Sequence, residues 1–384
     1  MPFIVKPKTD FQEKTFTELM TLVSESNGEF IFSDHPIPNN ENLIYRIFKY
    51  SLPGYMSFKK PSAKQCRGSM FLVDKKANTA QLIALPMEKF FSVGEGVGDD
   101  LKIKITDAKR AFIKQDGSLL TSYLDPFTET VNYKSMGAPT YISESVIEKS
   151  IPNELAQELQ ALAIQNVCVD LELTTPENRV IIEYKTYRVY ALKARCVLTG
   201  QNINIRSEEF KERYPAIAAH LVEEIPTDSI DLNRSDIEGY VIELADGSIK
   251  KIKTLPYLSM VGVIKLQDFS KESLYLYKAA VNNVLDEVRG LYVHKAFSEA
   301  YNLAGKLEKA DRIQAYATAT YNPFVRGIES LYEENKHLTK SEYCKKLNKE
   351  PGFPLLLSKL TGQPVTEADY RKFAIEIFGK KAPN

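Results

Sequence analysis

Lysine, aspartate and glycine fall close together at Lys114-Gln115-Asp116-Gly117, where a short run of strand-forming residues ends. An amine there is a nucleophile once it sheds its proton. Free lysine titrates at about 10.4, so such a residue needs help from its surroundings. Further along stand Glu172 in VDLEL, Glu238 at the head of Glu238-Gly239-Tyr240-Val241, and Lys251-Ile252-Lys253. Residues i and i+2 of a strand share a face, so Lys251 and Lys253 present two ammonium groups side by side. Paired ammonium groups suit a phosphate, and a carboxylate suits a sugar hydroxyl or a hard divalent cation. Singly, each has an ordinary explanation: a surface lysine ahead of a turn, an exposed acid, a solvated strand face.

These groups need a frame that draws distant segments together. The spacing predicts an amphipathic helix over 11–26, with Asp10 as its cap and Phe16, Leu19, Met20 and Val23 along one face before Gly28. Strands are expected at 44–50, 69–74, 80–86, 110–114 and 119–124, punctuated by Gly94–Asp100 and by Asp116-Gly117. A helix over 153–164, capped by Asn153, puts Leu155, Leu159 and Leu162 on one face; strand-like runs follow at 167–173, 179–184 and 187–193. A helix near 207–222 then leads to strands 239–244 and 249–253, joined at Asp246-Gly247. Repeated β segments with helices between them imply an α+β domain on antiparallel sheet. Beyond about residue 265 the pattern turns helical. Tyr275, Ala279, Val281 and Leu285 recur at helical spacing, Thr366-Glu367-Ala368-Asp369 resembles a capping box, and Pro351, Gly352 and Pro354 separate short pieces. The expected division is 1–262 and 263–384, with no internal repeat and no low-complexity segment.

With 384 residues, 43% hydrophobic and 26% charged, the chain has material for two or three domains with full cores. The 50 basic and 50 acidic residues cancel, which argues against indiscriminate coating of nucleic acid and leaves room for a local basic groove. Cys66, Cys168, Cys196 and Cys344 are scattered, as are His35, His220, His294 and His337, so zinc-ligand spacing is absent and a reducing cytosol is expected. The first residues, MPFIVKPKTD, carry Lys6 and no long apolar core, so they do not read as a signal peptide. No apolar run approaches the roughly 18 residues a membrane span needs. Gly94-Glu95-Gly96-Val97-Gly98 lacks both the Gly-Lys-Ser/Thr ending and the strand–loop–helix setting of a phosphate-cradling loop.

Taken in order, Lys114-Gln115-Asp116-Gly117, the LEL containing Glu172, EGYV from Glu238, and the Lys251–Lys253 motif resemble the covalent nucleotidyltransferase superfamily of polynucleotide ligases and RNA capping enzymes. YRIFKY (45–50), CRGSMF (66–71), PMEKFF (86–91) and PENR (176–179) narrow the resemblance to the bacteriophage T4-type RNA ligases that repair broken transfer RNA. It covers roughly residues 15–260. It implies an α+β nucleotidyltransferase domain, ATP-grasp-like and built on antiparallel sheets, followed by an all-helical C-terminal domain for RNA recognition. The implied activity is ATP-dependent joining of 5′-phosphate and 3′-hydroxyl RNA ends through a lysyl-adenylate, with ATP and Mg²⁺ (or Mn²⁺) as cofactors.

The resemblance also implies roles. Lys114 is the nucleophile; Tyr50, Arg67 and Lys89 clamp the departing pyrophosphate; Glu172 holds the ribose; Lys251 and Lys253 serve the phosphates; Glu238 and Asp116 serve the metal. Phe91, Lys134 and Tyr257 are further candidate substrate or phosphate contacts. The partner that the resemblance implies is RNA, including the anticodon loop of a tRNA, in a phage-infected cytoplasm, with a monomer as the default. Two positions depart from the family: Met136 in Lys134-Ser135-Met136-Gly137, where relatives carry a second lysine, and Leu85, where they tend to carry arginine. DNA ligases and capping enzymes place an arginine soon after the Asp-Gly and continue into a β-barrel, whereas here Ser118-Leu119 follows and the continuation reads as helical. A non-catalytic RNA-end-binding protein of the same fold is the alternative of a different class.

Overall fold

The computed structural model describes residues 9–96, 98–140, 144–177, 179–260, 272–288 and 303–383. Among them the fold is α+β, with antiparallel sheets and their helices followed by a helical C-terminal region. The chain forms two units, one of Met1–Ser26, Phe30–Tyr50 and Tyr55–Val261, the other of Asn27–Glu29, Ser51–Gly54 and Gly262–Asn384. The expected boundary at residue 262 lies outside the described residues.

In the first unit, α1 (Asp10–Glu25) turns Gln12, Thr15, Leu19 and Leu22 inward. Its cap is Thr9 rather than Asp10. Thr9 has the extended backbone a cap requires, and its hydroxyl accepts the Gln12 N–H while donating to the Leu198 carbonyl at 2.7 Å. The helix covers a four-stranded sheet in the order β1 (Phe30–Ile37), β2 (Asn40–Tyr50), β3 (Arg67–Asp74), β4 (Thr79–Ala84). Phe16 packs there on Phe48 and Phe71.

Two five-stranded sheets complete the unit. One runs β12 (Glu224–Ile225), β6 (Arg110–Lys114), β13 (Gly239–Glu243), β14 (Ile249–Lys253), β5 (Phe91–Ser92). The other runs β11 (Asn202–Ile203), β10 (Arg188–Cys196), β9 (Val167–Thr174), β7 (Ser118–Leu124), β8 (Val131–Lys134). Consecutive β6 and β7 therefore lie in different sheets, and Asp116-Gly117 is a crossover between them rather than a hairpin turn. Behind the second sheet, the short α2 (Glu144–Ser150) precedes α3 (Asn153–Ile164), which buries Leu155, Leu159 and Leu162. At about 1.5–3 kcal/mol for each fully buried aliphatic side chain, this face anchors the helix.

Three local expectations are corrected. Pro152, not Asn153, occupies the cap position of α3, and Asn153 is its first helical residue. The run 179–184 is not a strand: the N–H groups of Ile181 and Ile182 both donate to an Asp116 carboxylate oxygen at 2.7 Å, which fixes a loop. The helix expected over 207–222 is two, α4 (Glu208–Arg213) and α5 (Pro215–Ala219), because Pro215 has no N–H to continue the first.

The second unit contains α7 (Glu272–Val281), α8 (Leu303–Asn335), α9 (Lys340–Leu347), α10 (Phe353–Leu360) and α11 (Glu367–Phe378), after α6 (Leu255–Met260) closes the first. Thr366 and Asp369 make the expected capping box. Tyr277 is fully buried and shares a hydrogen bond with Thr320, a packing role. Two further tyrosines whose setting in a helical stretch predicts packing, Tyr292 and Tyr301, lie outside the described residues.

Candidate active site

Lys114 ends β6 directly opposite Gly239 of β13, which brings Glu238 beside it. The Lys114 ammonium donates to one Glu238 oxygen at 2.6 Å, and Lys253 reaches the other at 2.8 Å. This approach depends on a glycine: a Cβ on Gly239 would stand 2.1 Å from the Ile252 carbonyl oxygen. Past the crossover, Gly117 meets β9 just as closely, with a Cβ there 2.3 Å from the Leu173 oxygen, and its N–H donates to Glu172 at 3.0 Å. Two lysines, Lys114 and Lys253, and two carboxylates, Glu172 and Glu238, thus converge from four separate segments.

Electrostatics divides the two carboxylates. Burial pushes Glu238 upward, but the Lys114 and Lys253 ammonium groups outweigh it and hold the carboxyl below its ordinary range. Burial pushes Glu172 up to about 7, against the pull of Lys114 and with the push of Glu238. Glu238 therefore stays ionised at neutral pH, while Glu172 sits near the point of exchanging its proton.

A cavity of about 270 Å³ opens between the two five-stranded sheets, with Arg67, Phe90, Phe112, Lys114, Glu172 and Lys193 among its walls. A larger cavity of about 380 Å³, lined by residues such as Leu82, Leu124, Ile164 and Val197, holds none of these groups. Chemistry therefore selects the smaller one.

The remaining sequence-predicted residues fall into two groups. Lys89, Tyr50 and Arg67 are partly accessible: the Lys89 ammonium lies 5.3 Å from the Tyr50 ring centre, and Arg67 lies 5.2 Å from that of Phe90. Lys251 shares the face of β14 with Lys253. The others are buried and packed against protein partners. Phe91 is buried among Tyr55 and Phe58, at ring-centre distances of 4.6 and 5.4 Å. Lys134 is fully buried; burial pushes its amine down to about 8, and it donates to the Ser135 carbonyl at 2.6 Å. Tyr257 is buried, and its hydroxyl donates to Asp116 at 2.7 Å. Asp116 is itself buried and accepts from Tyr257, Ile181 and Ile182. Its carboxylate is thereby engaged in holding the crossover loop rather than standing open to a metal.

Sequence reasoning passed over Tyr184, whose hydroxyl accepts the Asp116 N–H at 2.9 Å, and also Asp170 and Arg195. Asp170 carried a signal: two residues before Glu172 on a strand, it shares the same face. Tyr184 lay in a segment read as a strand, and Arg195 gave no sign. Among the described residues no group of three or more His, Cys, Asp or Glu is arranged to hold a metal ion, and no helix is long and apolar enough to cross a membrane.

No family model matches the chain. Among solved structures it is similar to an archaeal ATP-dependent RNA ligase, at 10% identity over 95% of this chain and 96% of that one, with a TM-score of 0.44. It is similar to a proposed ATP-dependent DNA ligase from Aquifex aeolicus, at 12% identity over 81% of each chain and TM-score 0.44. A Naegleria gruberi RNA ligase seen with pyrophosphate matches at 12% identity over 60% of this chain and 98% of its own, with a TM-score of 0.32.

Proposed function

We propose that the chain is an ATP-dependent RNA ligase that seals 5′-phosphate to 3′-hydroxyl ends through an adenylate on Lys114, with single-stranded RNA or broken tRNA as its substrate in a phage-infected bacterial cytoplasm. The observation that supports this reading most is the meeting of Lys114, Glu172, Glu238 and Lys253 at one end of a cleft between two sheets.

In the first step the Lys114 amine attacks the α-phosphorus of ATP. A nitrogen–phosphorus bond forms and the bond to pyrophosphate breaks; the ammonium gives one proton to water to become the attacking amine, a second on bond formation, and keeps one N–H. Arg67 and Lys89 receive the leaving pyrophosphate, Arg67 with paired donors and Lys89 as a point charge. Lys251 and Lys253 neutralise charge gathering on the α-phosphate. Glu172 accepts from a ribose hydroxyl. An RNA 5′-phosphate oxygen then attacks the same phosphorus, Lys114 leaves, and an RNA 3′-hydroxyl finally displaces AMP.

Glu238 is the carboxylate we assign to a divalent cation, and it fits only in part. As a hard oxygen donor it suits Mg²⁺ or Mn²⁺, but two ammonium groups already occupy it, so the ion's remaining ligands must come from phosphate and water. When bound, such an ion supplies charge neutralisation at the phosphates.

Incubation with ATP and a 5′-phosphorylated RNA strand should give a sealed or circular product on a denaturing gel, with a matching DNA strand joined more slowly. Equal joining of DNA would move the protein to the DNA ligases. Failure with every 5′-phosphorylated end would overturn the ligase reading.

A further inference from the structure

The segment Pro86–Lys89 passes from β4 to β5 in no sheet, yet most of its main-chain polar groups are held. Buried backbone groups must be paired somewhere, and outside a ladder the partners have to be side chains or passing backbone. An Asp170 oxygen accepts the Met87 N–H at 2.6 Å, while the other accepts the Thr121 hydroxyl at 2.6 Å. The Arg195 guanidinium donates to the Pro86 carbonyl at 2.8 Å, to Gln65 at 2.8 Å and to the Gly200 carbonyl at 3.1 Å. Gln65 in turn donates to the Glu88 carboxylate at 3.2 Å, and the Lys64 carbonyl accepts the Lys89 N–H at 2.9 Å.

Asp170 and Arg195 are 1% and 3% exposed, so neither faces a ligand. Their burial disfavours the charge on each. Two buried charges with this many directed bonds are a poor source of stability, since apolar residues of like volume do as well. What they do give is geometry. The gripped segment carries Lys89, and its Glu88 carbonyl accepts from Arg67 at 3.4 Å, so both cations of the expected pyrophosphate clamp hang on it.

We propose that Asp170 and Arg195 are positioning residues that set Arg67 and Lys89 for the two outer phosphates of a nucleoside triphosphate without touching the nucleoside monophosphate. The inference rests on the adenylation reading above. Weakening one charge-assisted hydrogen bond to a phosphate should be felt as about tenfold in binding.

The test is calorimetric binding of ATP and of AMP to full-length protein carrying Lys114→Ala, which stops the covalent step, with and without Asp170→Asn or Arg195→Lys. The expected result is a dissociation constant about tenfold higher for ATP and essentially unchanged for AMP. Parallel weakening of both nucleotides, or of neither, overturns the inference. Should either variant fail to melt cooperatively, the half-exposed Glu88→Gln decides: a smaller loss confined to ATP supports the bracket, and none refutes it. If the Lys114→Ala protein itself binds neither nucleotide, the adenylation reading fails first, and the two failures are told apart.

Discussion

Replacing Glu172 by Gln should make the protein more stable at pH 8 and no more stable at pH 5. The folded protein pushes this carboxyl from its ordinary 4.5 up to about 7, mainly through burial. Between those values the folded state binds the proton that the unfolded state has released. Stability therefore falls as pH rises through the window and levels off above 7. At about 1.4 kcal/mol for each tenfold in proton affinity, the full cost of ionisation is about 3 kcal/mol. Cleft water screens part of it, so about 1–3 kcal/mol is expected at pH 8, or about 2–4 °C of melting temperature per kcal/mol for a unit of this size. Glutamine keeps the acceptor for the Gly117 N–H and removes the charge. Thermal melts at pH 5, 6, 7 and 8 in constant salt would show the variant drawing level at pH 5 and ahead at pH 8, while its adenylation slows. A gap that stays constant with pH, or a variant less stable at pH 8, would refute the reasoning.

Tyr257→Phe removes one hydroxyl donor from Asp116 and should cost about 1 kcal/mol in denaturant unfolding while leaving ATP affinity within about threefold; a large loss of affinity at unchanged stability would return Tyr257 to the phosphate contacts. Gly239→Ala sets a methyl against the Ile252 carbonyl and should cost about 2–4 kcal/mol in denaturant unfolding, and an unchanged unfolding midpoint would contradict the packing of β13 on β14. Chelation of divalent ions should abolish adenylation and added Mg²⁺ or Mn²⁺ should restore it, whereas adenylation that persists in excess chelator would remove the metal from the scheme.

Much of the frame was legible. Strand 249–253 and the Leu155–Leu159–Leu162 helix are legible within a residue of their observed limits because a single face of each is buried and the apolar period shows it, and strand 110–114 because a short apolar run, buried on both faces, is bounded by Arg110 and Lys114. What was hidden depends on tertiary partners. The segment 179–184 carries β-forming residues, yet one carboxylate from a crossover 65 residues earlier captures two of its amides and overrides that propensity. The i+2 rule placed Lys251 and Lys253 on one face, but nothing local said that Lys253 and Lys114 would share Glu238. Likewise the buried state of Lys134 follows from its enclosure below Gly68 and Met136, which no local pattern announces.

The account stands on Lys114 as the residue that carries AMP. The direct measurement is incubation with ATP labelled at the α-phosphate and Mg²⁺, then digestion and mass mapping, beside Lys114→Ala protein. The account predicts one labelled peptide, the one containing Lys114, its label lost on adding pyrophosphate and absent from the variant. Label on any other residue, label that survives Lys114→Ala, or no label in protein first stripped with pyrophosphate would contradict it.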